Sequence, residues 1–333
     1  MYMELLSAVS MNNFKAVKNI LEHGYDIEAK DDEGRTALIT ACSRGYTKIA
    51  KILLEHGADI EAKDNEGRTA FIIACSRGDI ETAEILLEHE ADIEAKDDEG
   101  RTAFITAASS GYTKTAEILL EHGADIEAKD NKGRTALITA ASNGRTRTMI
   151  KLLKHGADIE AKDDEGKTAL ITAASNGHTK TAEMLLKHRA NRADIEAKDN
   201  KGRTALITAT SNGHTETAEM LLKRGADIEA KDNEGRTALI CTCFSHFEWY
   251  TETAEMLLEH GADIEAKDNL ERTALLYSVL YGYPKTVKTL LEHGADVETK
   301  DDDDWTVRSI LLFSPNDEIE EILLEYGYHV HDD

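Results

Sequence analysis

Much of what usually marks a catalyst or a membrane protein is missing from this chain. Four cysteines in 333 residues do not make a disulfide framework, so a reducing, cytoplasmic setting is expected. No apolar run approaches the roughly 20 residues needed to cross a bilayer. The first residues, Met1 to Leu6, place no basic stretch ahead of their short apolar segment, which argues against a secretory signal. Basic residues are in the minority: 39 Lys and Arg stand against 64 Asp and Glu, for a formal charge of -25. That balance repels phosphate backbones and anionic headgroups, so neither nucleic acid nor membrane is expected as a partner. A glycine-rich phosphate loop and a nucleophile elbow are both absent. Aromatic residues are few, and 11 of the 18 fall between Phe244 and Tyr328, both tryptophans among them.

What the chain does have is repetition. The segment Ile-Glu-Ala-Lys-Asp begins at Ile27, Ile60, Ile93, Ile126, Ile159, Ile195, Ile228 and Ile264, with spacings of 33 residues interrupted twice by 36. A fixed period of this size is the mark of a stacked array in which each unit touches only its neighbours. In the unit Asp31 to Lys63, Asp31-Asp32-Glu33-Gly34-Arg35 reads as a turn. Thr36 is a good N-cap for a first short helix from Ala37 to Ser43, and Gly45 breaks it. Thr47 opens a second helix, with Ile49, Ala50, Ile52, Leu53 and Leu54 at helical spacing, and Gly57 ends it. Ala58 to Lys63 is expected to run extended into the next turn. Helices this short are not stable alone in water, so each pair must be covered by the next. Small residues such as Ala41-Cys42 and Ala140-Ala141 permit close approach between layers.

The unit resembles the ankyrin repeat. The resemblance rests on Asp130-Asn131-Lys132-Gly133-Arg134-Thr135-Ala136-Leu137-Ile138, on Ala140-Ala141-Ser142-Asn143-Gly144, and on Leu152-Leu153-Lys154-His155-Gly156-Ala157-Asp158-Ile159, and it extends along the whole chain. It implies an all-α fold, an ankyrin-type α-solenoid of stacked helix-turn-helix repeats with extended finger loops. Ala stands where the family has Pro in the first helical turn, and mostly Ile where it has His. Loss of that His leaves apolar packing to hold the layers. Glu61, Glu94 and Glu127 replace the family's Asn, so Asn-directed modification does not carry over. One domain is expected, residues 1–333: a cap unit at 1–30, eight full repeats at 31–300 and a cap unit at 301–333. Scattering should show an elongated particle that unfolds in more than one step.

The resemblance further implies a non-enzymatic scaffold or adaptor that binds protein partners through a concave face of turn tips and first helices, with no cofactor and no metal, as a monomer. Arg68, Arg77, Arg134 and Asn143 lie on that face. Its near-identity from repeat to repeat suggests recent duplication, a ligand with its own repetition, or little selection for a specific partner, and the alternative reading is a purely structural spacer. An enzyme is the third reading, and no acid, base and nucleophile come together to support it. The irregular places carry local information. His188 to Ala193 holds three extra residues and should bulge. Lys151 replaces an apolar residue of neighbouring repeats, so its layer is expected to be a weak point if the side chain is buried. A further insertion falls at Cys243 to Tyr250. Around it gather Phe244, Phe247, Trp249, Tyr250, Tyr281, Tyr283 and Trp305, the candidate anchors of a partner site; the opposing reading is that they patch the longer turn and cover the last layer. The recurrent His residues (His23, His56, His89 and their equivalents) read as helix-end residues spaced too far apart to share a metal. Cys42, Cys75 and Cys243 read as small core residues.

Overall fold

The computed structural model of the protein describes residues 3–188, 192–244 and 249–330. Among them the secondary structure is helical, with one isolated bridge between Lys300 and Thr306 and no strand. The chain divides into two compact units. The first, Met1–Asp164, contains five helix pairs: α1 (Met3–Ser10) with α2 (Phe14–Glu22), α3 (Ala37–Arg44) with α4 (Thr47–Glu55), α5 (Ala70–Ser76) with α6 (Ile80–Glu88), α7 (Ala103–Ser110) with α8 (Thr113–Glu121), and α9 (Ala136–Ser142) with α10 (Thr146–Lys154). The second, Glu165–Asp333, contains α11 (Ala169–Ser175) with α12 (Thr179–Lys187), α13 (Ala205–Ser211) with α14 (Thr215–Lys223), α15 (Ala238–Cys241) with α16 (Trp249–Glu259), α17 (Ala274–Leu280) with α18 (Pro284–Glu292), and α19 (Val307–Phe313) with α20 (Asp317–Glu325). A 3-10 turn, Thr242–Phe244, continues α15.

Local chemistry sets these boundaries. The Oγ1 of Thr36 accepts the amide of Ile39 at 3.3 Å, and Thr69, Thr102 and Thr135 cap α5, α7 and α9 in the same way. Most second helices end on a left-handed glycine; after α6 the position is filled by Glu90 (φ 65°), and α12 ends on an extended His188. At Gly57 (φ 81°), the amides of Gly57 and Ala58 return to the carbonyls of Leu54 and Leu53, which closes the helix as a Schellman motif. His56 adds a bond between its Nδ1 and the Ile52 carbonyl, 2.8 Å apart, and His23, His89, His122, His260 and His293 repeat it. The recurrent histidine is thus a helix-end residue that occupies one more free carbonyl.

Within each unit, first helices pack on first helices and second on second. Ala37, Leu38, Ile39, Ala41 and Cys42 are all at most 1% exposed, so α3 is buried over most of its surface between its neighbours. Apolar packing does not hold the layers alone, contrary to what the loss of the family's His suggested. Glu28 Oε1 accepts the amide of Asp59 one repeat on, at 2.8 Å, and Lys30 Nζ donates to the Lys63 carbonyl at 2.8 Å. Glu61 and Lys63 do the same to Asp92 and Lys96, and Glu196 and Lys198 to Asp227 and Lys231. Paired threonines add a second ladder: Thr47 with Thr82, Thr113 with Thr148, Thr179 with Thr217 and Thr215 with Thr253, all at 2.7–2.8 Å. Ala58 to Lys63 is not simply extended. Asp59 caps the amide of Glu61 and its carbonyl accepts from Ala62, so the segment contains a tight Asx-type turn.

Two irregularities resolve differently from expectation. Lys151 is half exposed, not buried, and its ammonium pairs with Glu117 of the preceding repeat. Its stem lies on the layer while its charge reaches solvent, so the weak-layer expectation loses its cause. In the bulge, Arg189, Ala190 and Asn191 lie outside the described residues. Register resumes at Ala193, which is buried and whose amide donates to the Leu185 carbonyl, as Ala157 does to Leu152.

Candidate functional site

The face built by the turns and first helices is chemically of two kinds. Over most repeats its polar groups are already engaged. Arg68 lies on Asp64, with Nε and Nη2 at 2.9 and 2.8 Å from Oδ2, and reaches Glu66 with Nη1 at 3.0 Å. Arg134 is held by Asp130 in the same way, at 2.8 and 2.7 Å. The same aspartate caps its own turn: Asp130 Oδ1 accepts the amides of Lys132 and Arg134. Burial alone would raise the Asp130 pKa, but these bonds and the Arg134 charge outweigh it and hold the carboxyl below its ordinary value. Asn65 and Asn131 donate to the carbonyls of Asp32 and Asp98 in the preceding turn. Asn143 donates to Ser109, at 2.8 Å to its Oγ and 3.2 Å to its carbonyl. Arg77 is exposed at the end of α5.

The close approach of successive turns explains the glycine in each. At Gly100 (φ 73°) a Cβ would lie 2.2 Å from Asn131 Oδ1 and 2.8 Å from its backbone nitrogen. Only in the last two turns is the left-handed position filled otherwise, by Glu271 (φ 56°) and Asp304 (φ 62°). A non-glycine residue there costs about 1–2 kcal/mol, and such strain tends to persist where function requires it.

The same two turns begin a different surface. The helix position occupied by Ser43, Ser76, Ser109, Ser142, Ser175 and Ser211 becomes Phe244, Leu280 and Phe313. That of Thr40, Thr139 and Thr208 becomes Tyr277, and that of Arg68 and Arg134 becomes Trp305. These replacements interlock. The Tyr277 hydroxyl donates to Asp268 Oδ2 at 2.6 Å and occupies the carboxylate that would hold Arg272. Arg272 instead reaches forward to Asp301 Oδ2 at 2.9 Å, in the turn whose own arginine is replaced by Trp305. Burial pulls the Arg272 pKa down, and its bonds to Asp301 and Tyr277 reverse this to a net rise. Burial, with Asp268 alongside, raises the Tyr277 phenol, so the hydroxyl stays a donor.

Trp305 and Phe313 meet edge to face, 5.7 Å between ring centroids. With Arg272, Leu276, Leu280, Asp301, Ile310 and Ser314 they line a cavity of about 290 Å³. Beside it Phe244 lies 4.6 Å from Tyr277 and 5.7 Å from Tyr281. Tyr281 stacks on Tyr277 at 6.0 Å and lies 6.2 Å from Tyr283. The guanidiniums of Arg236 and Arg272 cover the rings of Phe244 and Tyr277. Phe313 is 81% exposed, Leu312 55%, Tyr281 46% and Leu280 41%.

Of the expected anchors, then, Phe244, Tyr281 and Tyr283 come together, and Trp305 sits at the cavity one repeat on. Tyr250 is 7% exposed, and its hydroxyl donates to the Ser211 carbonyl of the preceding layer at 3.0 Å. Arg145 and His214 reach back to the carbonyls of Ser109 and Ser175 from the same repeat position, so Tyr250 is where the insertion rejoins the register. Phe247 and the side chain of Trp249 lie outside the described residues. Sequence reasoning passed over Tyr277, Leu280 and Phe313. Alignment of the repeats in columns would have exposed them, because serine gives way to a large apolar residue three times in succession and threonine to Tyr277.

The four cysteines are free and buried. Burial pushes the Cys241 thiol up to about 12 and that of Cys243 to about 11, far from a nucleophile's range. Among the described residues no three His, Cys, Asp or Glu are grouped to hold a metal, and no helix is long and apolar enough to cross a membrane. The family model described as ankyrin repeats (3 copies) matches residues 5–97, 92–163, 148–232 and 225–301. No curated protein matches the chain.

Proposed function

The chain belongs to the ankyrin repeat family, and on that premise we propose that it is a non-enzymatic protein-binding scaffold whose specific contact site is the turn-and-first-helix face of its last three repeats. Repeats of this family are generally protein–protein interaction modules. One observation carries the reading. On this face the engaged polar groups of the earlier repeats give way to exposed Leu280, Tyr281, Leu312 and Phe313 around a cavity. Exposed aromatics beside a concavity are what anchor interfaces. The scaffold is taken to act as a monomer in a reducing cytoplasm, in keeping with four unpaired, buried cysteines.

A spacer role is the second reading for the remaining repeats. Lys63, Asn65, Arg68 and Asn131 are engaged within and between turns, which accounts for their repetition without a ligand. Affinity capture with the full chain separates the two. The triple variant Leu280→Ser, Tyr281→Asn, Phe313→Ser installs residues that other repeats carry, and its helix content and melting should match the parent. We expect it to lose the captured protein. Capture of the same protein by parent and variant alike would remove the site, and no specific capture by the parent would favour the spacer.

A further inference from the structure

We propose that the occupant of this face is a basic amphipathic segment of a partner protein, with an apolar side chain seated in the cavity and flanking Lys or Arg side chains held by the aspartates of the last turn. The inference rests on the binding reading above and adds the chemistry of the partner.

The cavity is at the small end for a ligand pocket and its wall is mostly hydrocarbon and aromatic ring, which suits side chains of a peptide better than a cofactor. Its rim is acidic. Asp301, Asp302, Asp303 and Asp304 follow one another, and two of them are already engaged, Asp301 by Arg272 and Asp304 by Lys300. Asp302 and Asp303 are exposed and enter no ion pair among the described residues. The cations nearby do not compensate them. Arg272 is held by Asp301, and Arg236 by Asp232 and Glu234. An acidic segment would therefore meet free carboxylates beside the cavity, while the guanidiniums of Arg272 and Arg236 are already engaged. Tyr281, half exposed, offers a ring face on which an arriving Lys or Arg can rest. A second copy of this chain would bring the same charge of -25 and is disfavoured as occupant. The charge also steers basic partners in, an effect that salt screens.

The test is selection from a random 12-residue peptide library displayed on phage, with the full chain immobilised. Enriched peptides should combine Leu, Phe or Trp with two or more Lys or Arg. Fluorescence titration of a selected peptide should show about a tenfold loss of affinity between 50 and 500 mM NaCl. A similar loss is expected in Asp302→Lys with Asp303→Lys, and binding should vanish in Leu280→Ser with Phe313→Ser. Neutral or acidic peptides that still need Leu280 and Phe313 would overturn the partner chemistry and leave the binding face standing. No enrichment, or peptides indifferent to both pairs of substitutions, would overturn the face as well.

Discussion

Tyr277 and Trp305 show how two substitutions in neighbouring repeats compensate each other. Tyr277→Thr should return Arg272 to Asp268 and strip Asp301 of its cation, whereas Trp305→Arg should crowd Asp301 with two. Made together, the changes restore the pattern of Arg134 on Asp130. A double-mutant cycle by chemical denaturation should give a favourable coupling of about 0.5–3 kcal/mol; strictly additive effects would mean that the interlock contributes nothing. Asp130 illustrates the commoner arrangement. Its pKa is lowered in the folded chain, so its contribution is present above the ordinary carboxylate value near 4 and is lost as pH falls through the depressed folded value. Asp130→Asn should therefore destabilise the protein by about 1–2 kcal/mol at pH 7, with part of that from the lost ion pair. The gap between the two stability curves should close in acid; a gap that persists at low pH would show that packing, not charge, is responsible.

At the scale of the helix pair, Lys151 separates what periodicity can reveal from what it cannot. Its column marks it as an oddity among Ile118 and Met184, yet only geometry reveals that the position is half exposed and faces Glu117. Lys151→Met should change stability by no more than about 0.5 kcal/mol, as a surface pair is exchanged for a little apolar contact. Hydrogen exchange in α10 should match that in α8. A gain of several kcal/mol would reinstate the weak layer. The helix pairs themselves were legible because most boundaries have a local cause: a capping Thr before the first helix, a left-handed Gly after the second, a stripe of Ile and Leu between. The end pairs were legible too, since positions that bury Leu38, Ile39 and Ala50 carry Arg308, Ser309 and Glu320 in the last repeat. The candidate site was only half legible. Aromatic clustering pointed to Phe244, Tyr281 and Trp305, but it also drew in Tyr250, whose burial is a matter of register. The swap of Arg272 between two aspartates 33 residues apart leaves no trace in a one-dimensional pattern.

For the molecule as a whole, a formal charge of -25 on a chain built from neighbour contacts sets a self-repulsion that salt should relieve. The melting temperature should rise between 10 mM and 0.5 M NaCl, even as exposed ion pairs such as Lys223 with Glu219 are weakened. A fall over that range would show that the ion pairs outweigh the repulsion. The ladder from Glu28 to Asp59 and from Lys30 to Lys63 has one more consequence, and it concerns inheritance. Within the first unit, each of the repeats from Glu28 to Lys129 offers its successor a carboxylate and an ammonium, and the successor receives them through main-chain groups alone. The two ends of a repeat are therefore interchangeable fittings, indifferent to which copy they join. Excision of Asp97 to Lys129 would leave Lys96 followed by Asp130 and every fitting matched, so a folded protein one helix pair shorter is expected from circular dichroism. Unequal crossing-over between repeats can lengthen or shorten such a gene without a misfit, as long as whole periods are exchanged.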